Sequence, residues 1–122
     1  MRNVELRGKS RNPAWTREEL ILALELYKKL PKSRVSAKNA AVIQLSTTLN
    51  KLRSTVASDP VTYRNPNGVA MKLHNFGRFD PGRGGVALEH GNRLEKAVWD
   101  EFHNSHFRLS EEAEKIRSRV SN

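Results

Sequence analysis

The densest grouping of side chains able to recognise another molecule lies between Arg64 and Arg83. Arg64-Asn65-Pro66-Asn67-Gly68 is followed by Lys72, His74, Asn75 and Arg78, and then by Arg83 inside Asp80-Pro-Gly-Arg-Gly-Gly85. Guanidinium and ammonium groups neutralise phosphates, while amide and imidazole groups supply the donors and acceptors that read base edges. The set therefore suits a nucleic acid. Arg64, Lys72, Arg78 and Arg83 are the candidate phosphate contacts, and Asn67, His74 and Asn75 are the candidates to approach bases. Asn65 has an equally good local reason to be present, as the N-cap of a helix that Pro66 opens.

Other chemistries find less support. Of the four histidines, His74, His90, His103 and His106, only the His103-x-x-His106 pair has a spacing that could put two rings on one helical face. Asp100 and Glu101 lie nearby, but Asn104-Ser105 reads as a helix end, and no further ligands stand at supporting positions. No metal site is expected. The carboxylates fall in caps and first turns or on amphipathic faces, and Asp80 with Glu89 is the one pair that flanks a turn, so no catalytic residue is assigned. The glycine-rich stretch lacks both the P-loop and the dinucleotide spacing. No cofactor is expected. The absence of cysteine excludes disulfides, thiolate metal sites and a cysteine nucleophile.

Charge gives the recognition reading independent weight. The 122 residues carry a net charge of +9. Residues 1–27 hold five basic and four acidic side chains, residues 28–88 eleven and two, and residues 89–122 six and seven. The excess thus sits in the middle, as when one face meets a polyanion and releases its condensed counterions. The bland alternative is a basic surface that serves only solubility or steering. The longest apolar run, Leu20-Ile-Leu-Ala-Leu24, is far below the ~20 residues a membrane span needs, and the first residues lack the apolar core of a secretory signal. A cytoplasmic location without membrane association is expected.

The elements that must position these side chains read as helices. Residues 1–12 are expected to be a flexible basic arm, with one helical domain over 13–122. Thr16-Arg-Glu-Glu19 is a capping box for a first helix, with Leu20, Ala23, Leu24 and Tyr27 on its apolar side and Pro31 as its stop. Val42, Leu45, Leu49 and Leu52 predict a second helix over 38–53, followed by a loop through 54–62. The third runs from Pro66 to about Gly77, burying Val69, Leu73 and Phe76. The Asp80–Gly85 turn is expected to be flexible. A fourth helix over about 91–103 has Leu94, Ala97, Val98 and Phe102 inward and Trp99 at its edge, and a fifth starts at Ser110, burying Ala113, Ile116 and Val120. The expected architecture is all-α, a compact bundle of about five helices.

Three segments also resemble a known family. Asn12-Pro-Ala-Trp-Thr-Arg-Glu-Glu-Leu-Ile-Leu-Ala-Leu-Glu-Leu-Tyr27, Tyr63-Arg-Asn-Pro-Asn-Gly-Val-Ala-Met-Lys-Leu-His-Asn-Phe76 and Val98-Trp-Asp-Glu-Phe102 resemble the N-terminal helical region that precedes the HNH domain in McrA-like, modification-dependent restriction endonucleases. The resemblance covers about residues 12–120. It implies a non-catalytic module that binds double-stranded DNA, senses modified bases, and serves a nuclease domain in the same or another chain. The HNH motif itself is missing here. The alternative is a helical protein-interaction module that docks a nuclease or partner subunit.

Overall fold

Leu20-Ile-Leu-Ala-Leu24 is apolar on every side of a helical turn, and such a segment needs neighbours all round it. The computed structural model describes residues 12–53, 62–85 and 93–120 and supplies those neighbours. The run forms the middle of α1 (Arg17–Lys29), and all five of its residues are buried. Around it pack α2 (Ala40–Leu52), α3 (Pro66–Gly77), α4 (Arg93–Phe102) and α5 (His106–Val120). Two short 3-10 turns, Lys32–Arg34 and Pro81–Arg83, complete the described elements, and none of these is a strand. No helix among the described residues is long and apolar enough to cross a membrane.

The helix starts follow from capping chemistry. Thr16 Oγ1 accepts from the Glu19 amide at 3.2 Å and Glu19 Oε1 accepts from the Thr16 amide at 2.9 Å, the reciprocal capping box. Asn65 caps α3 by accepting from the Gly68 amide at 2.8 Å, with Pro66 in the first turn. Asn39 likewise caps α2 through the amides of Ala41 and Val42, so this helix runs over 40–52 rather than 38–53.

The C-terminal third departs more from the periodicity. The fifth helix starts at His106, not at Ser110, because Leu109 is buried and continues inward the row made by Ala113 and Ile116. Ser110 lies within the helix, and the chain turns at His103–Ser105. In α4 the inward face is Val98, Trp99 and Phe102, while Leu94 and Ala97 are exposed. Trp99 is core rather than edge, only 5% exposed, with the rings of Tyr27, Phe76 and Phe79 all within 6.4 Å of it. His103 stacks on its indole at 4.8 Å and 6°, a packing role in place of a metal ligand. No group of three or more potential metal ligands exists among the described residues. The expected arm over 1–12 and the 54–62 loop fall outside the described residues, apart from Asn12 and Thr62.

Packing α1 on all sides also buries Glu19, and its charge is answered by the segment ahead of α3. Glu19 Oε2 accepts from Tyr63 Oη at 2.7 Å and Arg64 Nε at 3.1 Å, and Oε1 accepts from Arg64 Nη2 at 2.8 Å. Arg64 Nη2 also donates to the Ala14 carbonyl at 3.1 Å, and the guanidinium lies against the rings of Trp15 and Tyr63. Arg64 takes a left-handed backbone conformation, φ 45°, which is uncommon for a residue with a side chain. Ser46 Oγ and Asn50 Nδ2 hold this turn by donating to the carbonyls of Arg64 and Tyr63. Removing one partner of a buried pair leaves an uncompensated charge, which typically costs about 3–5 kcal/mol. Arg64→Ala is therefore expected to lose stability in that range by urea unfolding. A loss below ~1 kcal/mol would show that water reaches Glu19.

Candidate nucleic-acid interface

The seven sequence-derived site residues divide into two groups. Arg64 is 4% exposed and bound to Glu19, so its guanidinium is taken up by the core and not offered to a phosphate. Lys72, expected on the outer side of α3, leans inward instead: its ammonium pairs with Glu95 of α4 and lies 5.3 Å from the Trp15 ring. Arg83 donates through Nη2 to the carbonyls of Tyr27 at 2.9 Å and Leu30 at 2.6 Å. These are C-terminal carbonyls of α1, where a cation offsets the negative end of the helix dipole. Three of the four expected phosphate contacts thus have structural duties. Asn67, His74 and Arg78 are exposed and Asn75 is half-buried. With Met71, exposed to 66%, residues 67, 71, 74 and 78 form one outward stripe of α3, the spacing of a single helical face.

Beside that stripe is a cleft of about 310 Å³, lined by Tyr27, Val35, Leu73 and Gly77 and edged by Lys32, His74, Arg78 and Arg83. Its wall is the glycine-rich turn, which hydrogen bonds and close packing tie to α1 and α3. Tyr27 Oη donates to Asp80 Oδ2 at 2.7 Å, and Asp80 Oδ1 accepts from the Gly82 amide at 2.9 Å. The Arg83 guanidinium covers the Tyr27 ring at 4.0 Å. Gly84 sits at φ 83°, and Gly85 brings its backbone so close to α3 that an added Cβ would stand 2.1 Å from the Gly77 carbonyl oxygen. Only glycine fits there. The carbonyls of Asn75, Phe76 and Gly77 accept from the amides of Arg78, Phe79 and Asp80, so the end of α3 is closed by its own turn.

The electrostatics follow from this division. Among the described residues, Lys32, Arg34, Lys38, Lys51, Arg78 and Arg93 take part in no ion pair, and of these Lys32 and Arg78 line the cleft, whereas Glu18, Glu19, Glu25, Asp80, Glu95, Asp100, Glu101, Glu112 and Glu114 are all paired. Lys28, also unpaired with a carboxylate, lies over the Trp99 ring. No carboxylate among the described residues lines the cleft. Lys32 and Arg34 did not stand out in the sequence, where they read as part of a polar connector. The signal that could have found them was two cations just after Pro31 with no acid within reach.

Compared with protein-family models, curated proteins and solved structures, the chain has no match.

Two measurements check this geometry. Burial, then the hydrogen bond to Asp80, raises the Tyr27 hydroxyl well above the usual phenol range, and burial with the bond to Glu19 pushes Tyr63 up to about 12. A group raised in the folded state contributes stability that is present below pH ~10 and is lost as pH rises through the folded value. These are the chain's two tyrosines. Phenolate absorbance near 295 nm should therefore stay absent at pH ~10.5 in the folded protein and appear together with unfolding; a titration centred at ~10 without unfolding would contradict the packing. Gly85→Ala should displace the turn from α3 and lower stability by about 1–3 kcal/mol. A variant as stable as the parent, with unshifted Gly77 and Arg78 amide resonances, would refute the close approach.

Proposed function

We propose that this chain is a non-catalytic module that binds double-stranded DNA through the outer stripe of α3 and the cations beside it. The single observation that carries the reading is that Lys32 and Arg78, which line the cleft beside that stripe, hold no carboxylate partner while nearly every described acid is paired elsewhere. Unpaired cations beside a stripe of Asn67, Met71 and His74 combine phosphate contacts with groups suited to base edges and to the thymine or modified-cytosine methyl. The resemblance of three segments to the region ahead of the HNH domain in McrA-like restriction endonucleases supports the same reading. It adds the finer proposals that a modified base is sensed and that a nuclease domain, in this or another chain, does the cutting.

The competing docking reading rests on Phe107, which is 78% exposed next to a shallow groove between α1 and α5. Titration of matched duplexes by fluorescence anisotropy at several salt concentrations separates the two. Each phosphate contact contributes roughly 0.9 to the slope of log affinity against log salt, so Lys32→Ala with Arg78→Ala should lower that slope by roughly 2. A tenfold preference for a cytosine-methylated, hydroxymethylated or phosphorothioated duplex would make this chain the sensor. Absence of affinity at ~100 mM salt would overturn the DNA reading in favour of docking.

A further inference from the structure

We infer that the cleft between α1, α3 and the Pro81–Arg83 turn is a seat for one phosphate group, gripped by Lys32 and Arg78. The inference deepens the DNA reading by naming where a single phosphate is held, and it stands on the cleft's own construction. Both cations line the cleft, and neither has an ion-pair partner among the described residues. They come from different elements, Lys32 from the turn after α1 and Arg78 from the end of α3, so the charge converges across a concavity. His74 adds a third polar edge.

Two helix C-termini end here, and their carbonyls would ordinarily repel an anion. The structure removes that objection at each end. Arg83 is bonded to the last carbonyls of α1, and the turn amides close those of α3. Asp80, the one carboxylate near the cleft among the described residues, is held by Tyr27 Oη and the Gly82 amide and lies 3.9 Å from Arg83. Arg83 and Asp80 thus neutralise structural charge, and Lys32 and Arg78 are left over. The floor of Val35, Leu73 and Gly77 is apolar or bare backbone, which suits the sugar or ester carbon attached to a phosphate better than a second charge. Close approach is possible because three glycines, Gly77, Gly84 and Gly85, line the walls.

The test uses those glycines as reporters. ¹⁵N-labelled protein is titrated with inorganic phosphate, with chloride at matched ionic strength, with a nucleoside monophosphate, and with a short duplex. Phosphate should shift the Gly77, Gly84 and Gly85 amides saturably, chloride should not, and Lys32→Ala with Arg78→Ala should weaken the phosphate response at least fivefold while the remaining spectrum stays folded. Tighter binding of the duplex than of the monophosphate, with the same glycines moving, would assign the seat to the strand backbone. Tighter binding of the monophosphate would assign it to a free nucleotide. If the duplex binds but these amides do not move, the seat is refuted and the DNA reading stands. If phosphate moves them but no duplex binds, the seat holds and the DNA reading falls. Equal responses to phosphate and chloride, or a double variant that responds as the parent does, would refute the inference.

Discussion

A helix enclosed by four others cannot carry charge without a partner, and α1 carries it twice. Glu19 and Glu25 are both buried in a helix whose middle five residues are apolar. Lys29, one turn on, reaches Glu25 at 3.6 Å, but each glutamate is also met by a cation from outside α1, and these two ties fix two different parts of the chain. Glu19 draws in Tyr63 and Arg64 and so sets where α3 begins. Glu25 draws in Arg117 and so fixes the last turns of α5. Exposed pairs add little on their own, but Arg17 with Glu101 and Arg119 with Glu18 link the same helix to α4 and α5. Arg17 and Arg108 hold the Glu101 carboxyl at about 2, well below its usual range.

The same logic sorts the basic residues. In a chain with 22 Lys and Arg against 13 Asp and Glu, cations that answer buried acids and helix ends look, by type alone, like cations meant for a ligand. Position separates them. Arg64, Lys72 and Arg83 point at carboxylates and carbonyls, and Lys32, Arg34 and Arg78 point at none. The proposed interface is thus drawn from the cations that remain after the scaffold's charges have been matched, and its cleft is bounded where Arg83 and the glycine-rich turn close the ends of α1 and α3.

Much of the fold was legible in the sequence. The Thr16 capping box, the Asn65-Pro66 start and the Leu20–Leu24 run are local signals, and local hydrogen bonding and burial decide those elements. Where tertiary packing decides, the sequence misled. Ser110 followed by glutamates has the form of a helix start, yet burying Leu109 against the bundle extends α5 back to His106. Arg64 shows the same limit for the site, because its inward direction depends on Glu19, 45 residues away, and on a left-handed backbone that no sequence pattern announces. The ties of the glycine-rich turn could not be read locally, since they run to Tyr27 and Leu30, more than fifty residues earlier.

The burial of Arg64 also bears on how such a protein can change over generations. Glu19, Tyr63 and Arg64 satisfy one another, so a substitution at one strands the other two, and these positions should drift only in concert. Asn67, Met71, His74 and Arg78 hold the outer face of α3, and none of the four side chains takes part in the hydrogen bonds and ion pairs that tie the described bundle together. His74 and Arg78 edge the cleft without bracing it. The scaffold can accordingly stay fixed while the outward stripe is rewritten residue by residue, which leaves the molecule free to acquire new specificities without having to refold to do so.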